Sequence, residues 1–330
     1  MYSPQPLGLI DPFARQIRYV RLSVTDRCDF RCVYCMAENM TFLPRDRLLT
    51  LEEIARLGRV FASLGVQTFR LTGGEPLVRR NLAWLVEQLS QHSEVVMTSN
   101  GARLSQFAAP LKNAGLSRIN ISLDSLDPVQ FRQITRTGDL VDVLRGIDAA
   151  QQVGFNIKLN MVVMKGRNDA QILPIVAFAA QRGLDVSFIE EMPLGQITEH
   201  SRLLSFMPSA EIEQLIRQHY GLEATDYQTQ GPSRYLQLQG SRTRIGFISP
   251  HSHNFCADCN RVRVTSEGRL LLCLGNEQGV DLLPLLRDQA SDAEITAKIQ
   301  TALHQKPERH QFDLSETEPQ IVRFMNMTGG

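Results

Sequence analysis

Between residues 18 and 190 the chain alternates six times between an apolar, β-rich run and an amphipathic stretch. That alternation constrains the fold more than any other feature. The runs span 19–24, 68–71, 95–98, 118–123, 157–164 and 186–189. The stretches between them have helical period. Thr50, with Glu53 three residues on, forms a capping box; Ile54, Leu57, Phe61 and Leu64 make the apolar face; Gly65 ends the helix. Residues 81–91, 104–114, 140–153 and 169–182 follow the same pattern, and Trp84 and the Leu/Val stripes are expected in the core. Strand followed by helix, six times over, implies parallel strands joined by right-handed crossovers. Six units are too few for a closed eight-fold barrel. An open, partial barrel and a doubly wound sheet remain.

After Glu191 the pattern changes. Residues 209–218 predict a helix. Residues 234–239 with 242–248, and 262–265 with 269–273, predict two hairpins. Helices are expected near 281–288 and 291–304, and the end is irregular. A soft boundary falls near 195–205, giving domains at 1–200 and 201–330, the second a smaller α+β unit.

The chemistry is concentrated in six cysteines: Cys28, Cys32 and Cys35, spaced C-x3-C-x2-C, and Cys256, Cys259 and Cys273, spaced C-x2-C-x13-C. Three is odd for disulfides and one short of a closed zinc site. It suits a cubane iron–sulfur cluster with one thiolate on each of three irons and the fourth iron open. Zinc with a distant fourth ligand is the alternative, and His251 or His253 could close the second triad. Gly73-Gly74-Glu75-Pro76 follows the second strand, and on its own is a tight turn.

Composition narrows the partners. The 330 residues are 43% hydrophobic and 21% charged, and 35 basic residues balance 35 acidic ones. Net charge therefore provides no footing for nonspecific nucleic-acid binding. No apolar run reaches the roughly 18 residues of a membrane span. The N-terminus lacks the pattern of a signal peptide. A cytoplasmic protein is expected, in a compartment that keeps thiols reduced.

Taken together, the first triad with Tyr34 and the GGEP turn resembles the radical S-adenosylmethionine superfamily. The second triad, in FCADCNRVRV with Cys273 beyond, and the closing Gly329-Gly330 are similar to the GTP 3′,8-cyclases of molybdenum cofactor biosynthesis. RLTGGEPLVRR, MTSNG, INISLDSL, IKLNMVVMKG and FIEEMPLG extend the resemblance over nearly the whole chain. Ala37 and Thr328 depart from the pattern, neither at a ligand position. The resemblance implies a partial (βα)6 barrel of TIM type whose open side is closed by the C-terminal unit. It implies two 4Fe–4S clusters, one on each triad. S-adenosylmethionine is expected on the first, touching Tyr34, Gly74, Ser122 and Met192. GTP is expected on Arg21, Arg70, Thr98, Lys158, Arg261, Val262 and Arg263. Gly329 and Gly330 are expected to assist catalysis. Reductive cleavage of S-adenosylmethionine yields a 5′-deoxyadenosyl radical, which takes the 3′ hydrogen of GTP. The C3′ radical attacks C8 of guanine and, after reduction, yields 3′,8-cyclo-7,8-dihydro-GTP. A low-potential electron donor and the next enzyme, cyclic pyranopterin monophosphate synthase, are the implied protein partners, and the chain is expected to be a monomer or homodimer. Two other readings are a radical peptide-modifying enzyme with an auxiliary cluster and a non-catalytic metal-binding redox regulator.

Elementary electrostatics agrees with that set: a triphosphate needs several cations, and Arg21, Arg70 and Lys158 fall on different predicted strands that could converge inside one barrel mouth. Arg261 and Arg263 share one strand face.

Overall fold

The computed structural model describes residues 8–197, 201–314 and 320–329. Among them twelve strands form one sheet. The first six are β1 (Tyr19–Ser23), β2 (Thr68–Thr72), β3 (Glu94–Ser99), β4 (Leu116–Ser122), β5 (Asn156–Val163) and β6 (Asp185–Glu190), all parallel and in sequence order. Helices Leu51–Ser63, Leu82–Ser90, Leu104–Asn113, Leu140–Gln152 and Ile172–Arg182 are the crossovers. The Thr50 capping box is present, and Gly65 ends the first helix with φ +90°.

The later strands are β7 (Leu222–Ala224), β8 (Arg234–Leu238), β9 (Arg244–Ile248), β10 (Arg261–Val264), β11 (Arg269–Leu271) and β12 (Gly279–Asp281). Both expected hairpins form, β8 with β9 and β10 with β11. Each then joins the barrel sheet at an opposite edge: β9 pairs parallel with β6, and β10 pairs parallel with β1. The sheet therefore runs through the expected boundary near residue 200.

Side-chain alternation sorts the sheet into two faces. Val20 and Leu22, Phe69 and Leu71, Ile119 and Ile121, and Leu159 and Met161 lie in the helix-facing core. The residues between them (Tyr19, Arg21, Arg70, Arg118, Asn120, Lys158 and Asn160) line a cavity, so the sheet curves around a polar interior. One expectation fails: Trp84 is 38% exposed. Its helix buries Leu82, Leu85, Val86 and Leu89, which leaves Trp84 on the opposite side. No helix among the described residues is long and apolar enough to cross a membrane.

Candidate active site with two cysteine-lined cavities

The loop after β1 carries the first triad. Its backbone is pinned to helix Pro128–Thr135 by Arg31 N to Thr135 O (2.9 Å) and Val33 N to Ile134 O (3.0 Å). From below, Gly74 N donates to Thr25 O and Glu75 N to Arg27 O, both at 2.8 Å. A Cβ at Gly73 would lie 2.4 Å from Thr25 O, and one at Gly74 2.4 Å from Arg27 O. The two glycines are therefore what lets the turn approach the cysteine loop. The Glu75 carboxylate accepts from Leu77 N, Ser99 Oγ and Asn100 N. Burial pushes it up to about 7 against those hydrogen bonds.

Cys28, Cys32, Cys35, Tyr34, Gly74, Thr98, Ser122 and Met192 line one cavity. Burial raises all three thiols, Cys35 to about 12. Each must shed a proton to bind metal. The Tyr34 hydroxyl donates to Asp124 Oδ2 at 2.7 Å, and Val162 N donates to the other oxygen at 2.9 Å. Burial outweighs both bonds and brings the Asp124 carboxyl up to about 6.

A second cavity opens against the first, and Asn160, Ile189 and Met192 line both. Its wall holds Cys256, Cys259 and Cys273, the six cations Arg21, Arg70, Arg118, Lys158, Arg261 and Arg263, and no carboxylate among the described residues. Strand register sets the cations side by side: Arg21 lies opposite both Arg263 on β10 and Arg70 on β2. Like charges directly opposite one another destabilise a sheet. Burial, then Arg263, holds Arg21 well below the usual guanidinium range. Burial, then Arg70 and Arg118, pushes Lys158 down to about 7. Lys158 Nζ donates to Tyr235 Oη at 3.1 Å, and Arg70 donates to the Tyr19 hydroxyl and to Thr98 Oγ1 (3.0 Å). Thr98 itself lines the other cavity.

At the second triad burial would raise Cys259, but Lys306 and Arg261 bring it down to about 7. All six cysteines are free thiols. Among the described residues no three His, Cys, Asp or Glu side chains are gathered to hold a single metal ion. A 4Fe–4S cluster does not ask them to be, because its thiolates sit on separate iron corners. Three free thiols on one cavity wall, twice, fit such a group in donor chemistry.

Neither His251 nor His253 lines the second cavity. The His251 ring pairs through Nε2 with Glu191 O at 2.9 Å. Gly329 lies against Thr72 with φ +71°, and Gly330 falls outside the described residues. Arg118, Asn120 and Asn160 line the second cavity without having been singled out in the sequence. Their signal was there: polar residues alternating with Ile119, Ile121, Leu159 and Met161 on inward positions. Lys306 and Arg15, which contact the second cysteine loop, had no local signal.

Residues 22–179 match the family model described as Radical SAM superfamily, and 184–312 match Molybdenum Cofactor Synthesis C. A protein of Marinobacter nauticus described as GTP 3′,8-cyclase is 58% identical over 326 residues, 98% of each chain. One of Pseudomonas putida with the same description is 56% identical, again over 98% of each. Among solved structures, the fold is similar to Streptococcus suis SuiB bound to S-adenosylmethionine, with TM-score 0.64 and 16% identity over 95% of this chain and 78% of that one. That likeness concerns fold alone. At these identities, over nearly the full length of both chains, this chain belongs to the GTP 3′,8-cyclase family of the radical S-adenosylmethionine superfamily.

Proposed function

We propose that the chain joins C3′ of GTP to C8 of its own guanine, giving 3′,8-cyclo-7,8-dihydro-GTP, an early step toward molybdopterin. The observation that carries this reading is the second cavity. Six cations and no carboxylate ask for a polyanion, and the cavity shares a wall with the other cysteine triad. Buried cations crowded together cost stability, and an anion that joins them offsets that cost. The description of the relatives as GTP 3′,8-cyclases supports GTP as that anion.

In this reading Cys28, Cys32 and Cys35 hold a 4Fe–4S cluster, and Tyr34, Gly74, Ser122 and Met192 hold S-adenosylmethionine. When bound, cluster and S-adenosylmethionine together supply a carbon radical able to take a ribose hydrogen. The protein's own residues do the placing. Arg21, Arg70 and Lys158 take the triphosphate, and Arg70 is steadied by Thr98. Arg261, Val262 and Arg263 bring the guanine against the second triad, where Cys256, Cys259 and Cys273 would hold a second cluster. Ribose then lies at the shared wall of Asn160, Ile189 and Met192, so C3′ faces the first cavity while C8 is held within reach of it. Ile189, Ile248, Leu271 and Leu272 are apolar neighbours that keep water from the radical. Gly329 and Gly330 act as catalytic elements at the end of the tail. Residues 1–200 thus carry the radical chemistry and 201–330 the substrate-fixing cluster, with a low-potential donor supplying electrons.

The test is anaerobic incubation of reconstituted protein with GTP, S-adenosylmethionine and dithionite. 5′-Deoxyadenosine and the cyclised nucleotide should appear together. Cleavage of S-adenosylmethionine with no change in GTP, under conditions that assemble both clusters, refutes the reading.

A further inference from the structure

The segment after helix Asp292–Leu303 carries a lysine that the chemistry above leaves unused. Lys306 is 3% exposed, less than any other lysine among the described residues. Lysines are almost never so buried without partners. Its Nζ donates to Leu272 O at 2.5 Å, to Arg261 O at 3.1 Å and to Cys259 Sγ at 3.6 Å. An ammonium has three donors, and these contacts account for all of them. Leu272 immediately precedes Cys273, and Arg261 lies two residues beyond Cys259. One cation therefore ties the C-x2-C loop to the third cysteine and is aimed by two carbonyls at a ligand sulfur.

Arg15 supports the same place differently. Its guanidinium donates to Cys256 O (2.7 Å), Pro307 O (2.7 Å) and Glu308 O (2.5 Å). Asp11 pairs with it at 2.6 Å and offsets its charge. No carboxylate lines the cavity on which Cys259 opens, so the charge of Lys306 is left to act on the thiolate.

We propose that Lys306 is a positioning residue for the second cluster: its ammonium hydrogen-bonds the Cys259 thiolate, keeps that sulfur on its iron corner and raises the reduction potential of the cluster. This rests on the reading that the second triad holds a cluster. Hydrogen bonds and positive charge at a ligand sulfur favour the more negative, reduced cluster. Partners one shell out from the metal also hold its ligands in place. A lysine that merely satisfies two carbonyls would do neither.

The experiment isolates the second site by carrying Cys28→Ser, Cys32→Ser and Cys35→Ser together. In that background Lys306, Lys306→Arg and Lys306→Gln are compared for iron content, for midpoint potential by paramagnetic resonance during redox titration, and for iron retention against a chelator. Lys306→Gln keeps two donors for the carbonyls and removes the charge. The expected result is a more negative potential and iron held about 10- to 100-fold less tightly. Lys306→Arg should return most of the potential. Circular dichroism of the metal-free proteins checks the fold. If Lys306→Gln does not fold, Lys306→Met, which leaves no buried donor unpaired, is read the same way. Potential and retention unchanged without the charge overturn the role of Lys306. Absence of iron from the background that still has Lys306 overturns the cluster reading itself.

Discussion

Lys158 makes substrate affinity depend on pH in a way that can be worked out from the cavity. Burial, Arg70 and Arg118 push its ammonium down to about 7. Above that pH the ligand-free cavity holds Lys158 mostly neutral. At pH 8 only about one lysine in ten is charged, from a one-unit gap between pH and pKa. A triphosphate laid on Lys158 restores the charge, so binding takes up close to one proton at pH 8 and almost none at pH 6. The dissociation constant should therefore rise by up to about tenfold per pH unit above 7, or roughly 1.4 kcal/mol per unit, and level off below 6. The terminal phosphate, with its second pKa near 6, is about nine-tenths ionised or more above pH 7, where the slope is read, and about half ionised at pH 6. The ligand-free fold responds in the opposite sense. A lysine depressed below its unfolded value of 10.5 costs stability fully below pH 7, and that cost fades as pH rises toward 10.5. Calorimetric titration of GTP between pH 6 and 9, in buffers of different ionisation enthalpy, counts the proton directly. Lys158→Arg keeps a charge that does not titrate here and should flatten the profile while preserving affinity. Lys158→Met should flatten it at low affinity. A slope that persists in Lys158→Arg assigns the proton to another group and refutes the argument.

Three further outcomes are expected. Reconstituted protein should carry about eight irons and eight labile sulfides; Cys28→Ser should abolish S-adenosylmethionine cleavage, whereas Cys256→Ser should leave some cleavage but no cyclised product, and zinc at either triad after anaerobic reconstitution would contradict both. Glu75→Ala strips the partner from Leu77 N, Ser99 Oγ and Asn100 N, and buried groups left unpaired cost about 1–3 kcal/mol each; urea unfolding should show the loss, and an unchanged midpoint would mean water replaces the carboxylate. Glu75 also sits near 7, above the ordinary 4.5 of a glutamate, so its contribution to stability is present below 4.5 and is lost as pH rises through 7, a trend that Glu75→Gln should remove from the melting profile.

Much of the fold was legible because its signals are local. The capping box at Thr50 and Glu53, the alternation within β4 and β5, and the turns of both hairpins are decided by neighbours in sequence. Helix Pro128–Thr135 had a signal, Asp127 capping it and Pro128 at its first position, but eight residues show too little periodicity to stand out. The pairing of β9 with β6 and of β10 with β1 was not legible. Those ladders join segments far apart in sequence, and only the barrel decides which strand each hairpin finds. The candidate site divides in the same way. Cysteine spacing and the Arg261/Arg263 alternation mark themselves. Lys306 reaches its sulfur across 47 positions, and Arg15 reaches Cys256 across 241, through carbonyls that any residue could offer.

The first cysteine loop shows why a tail at the far end of the chain belongs to the same site. Three regions order that loop. Gly73 and Gly74 receive Thr25 and Arg27 from below, helix Pro128–Thr135 holds Arg31 and Val33, and the tail closes the third side. Met325 N donates to Cys35 O at 3.2 Å, and the buried Asn326 side chain donates to Asp26 O at 2.8 Å. Three residues on, Gly329 turns with φ +71°, and a Cβ there would lie 2.1 Å from the Thr72 hydroxyl oxygen. The tail therefore has two separable duties: Met325 and Asn326 hold the loop, while Gly329 makes its turn against Thr72. Deleting the whole tail confounds them. Asn326→Ala should loosen the loop and lower iron content at the first triad, because Asp26 O loses a buried donor. Gly329→Ala should leave iron content unchanged and reduce product formation steeply, because alanine fits neither the left-handed backbone nor the gap. Iron content measured beside turnover distinguishes the two. If both variants lose iron together, the tail is a brace for the loop and Gly329 has no duty of its own.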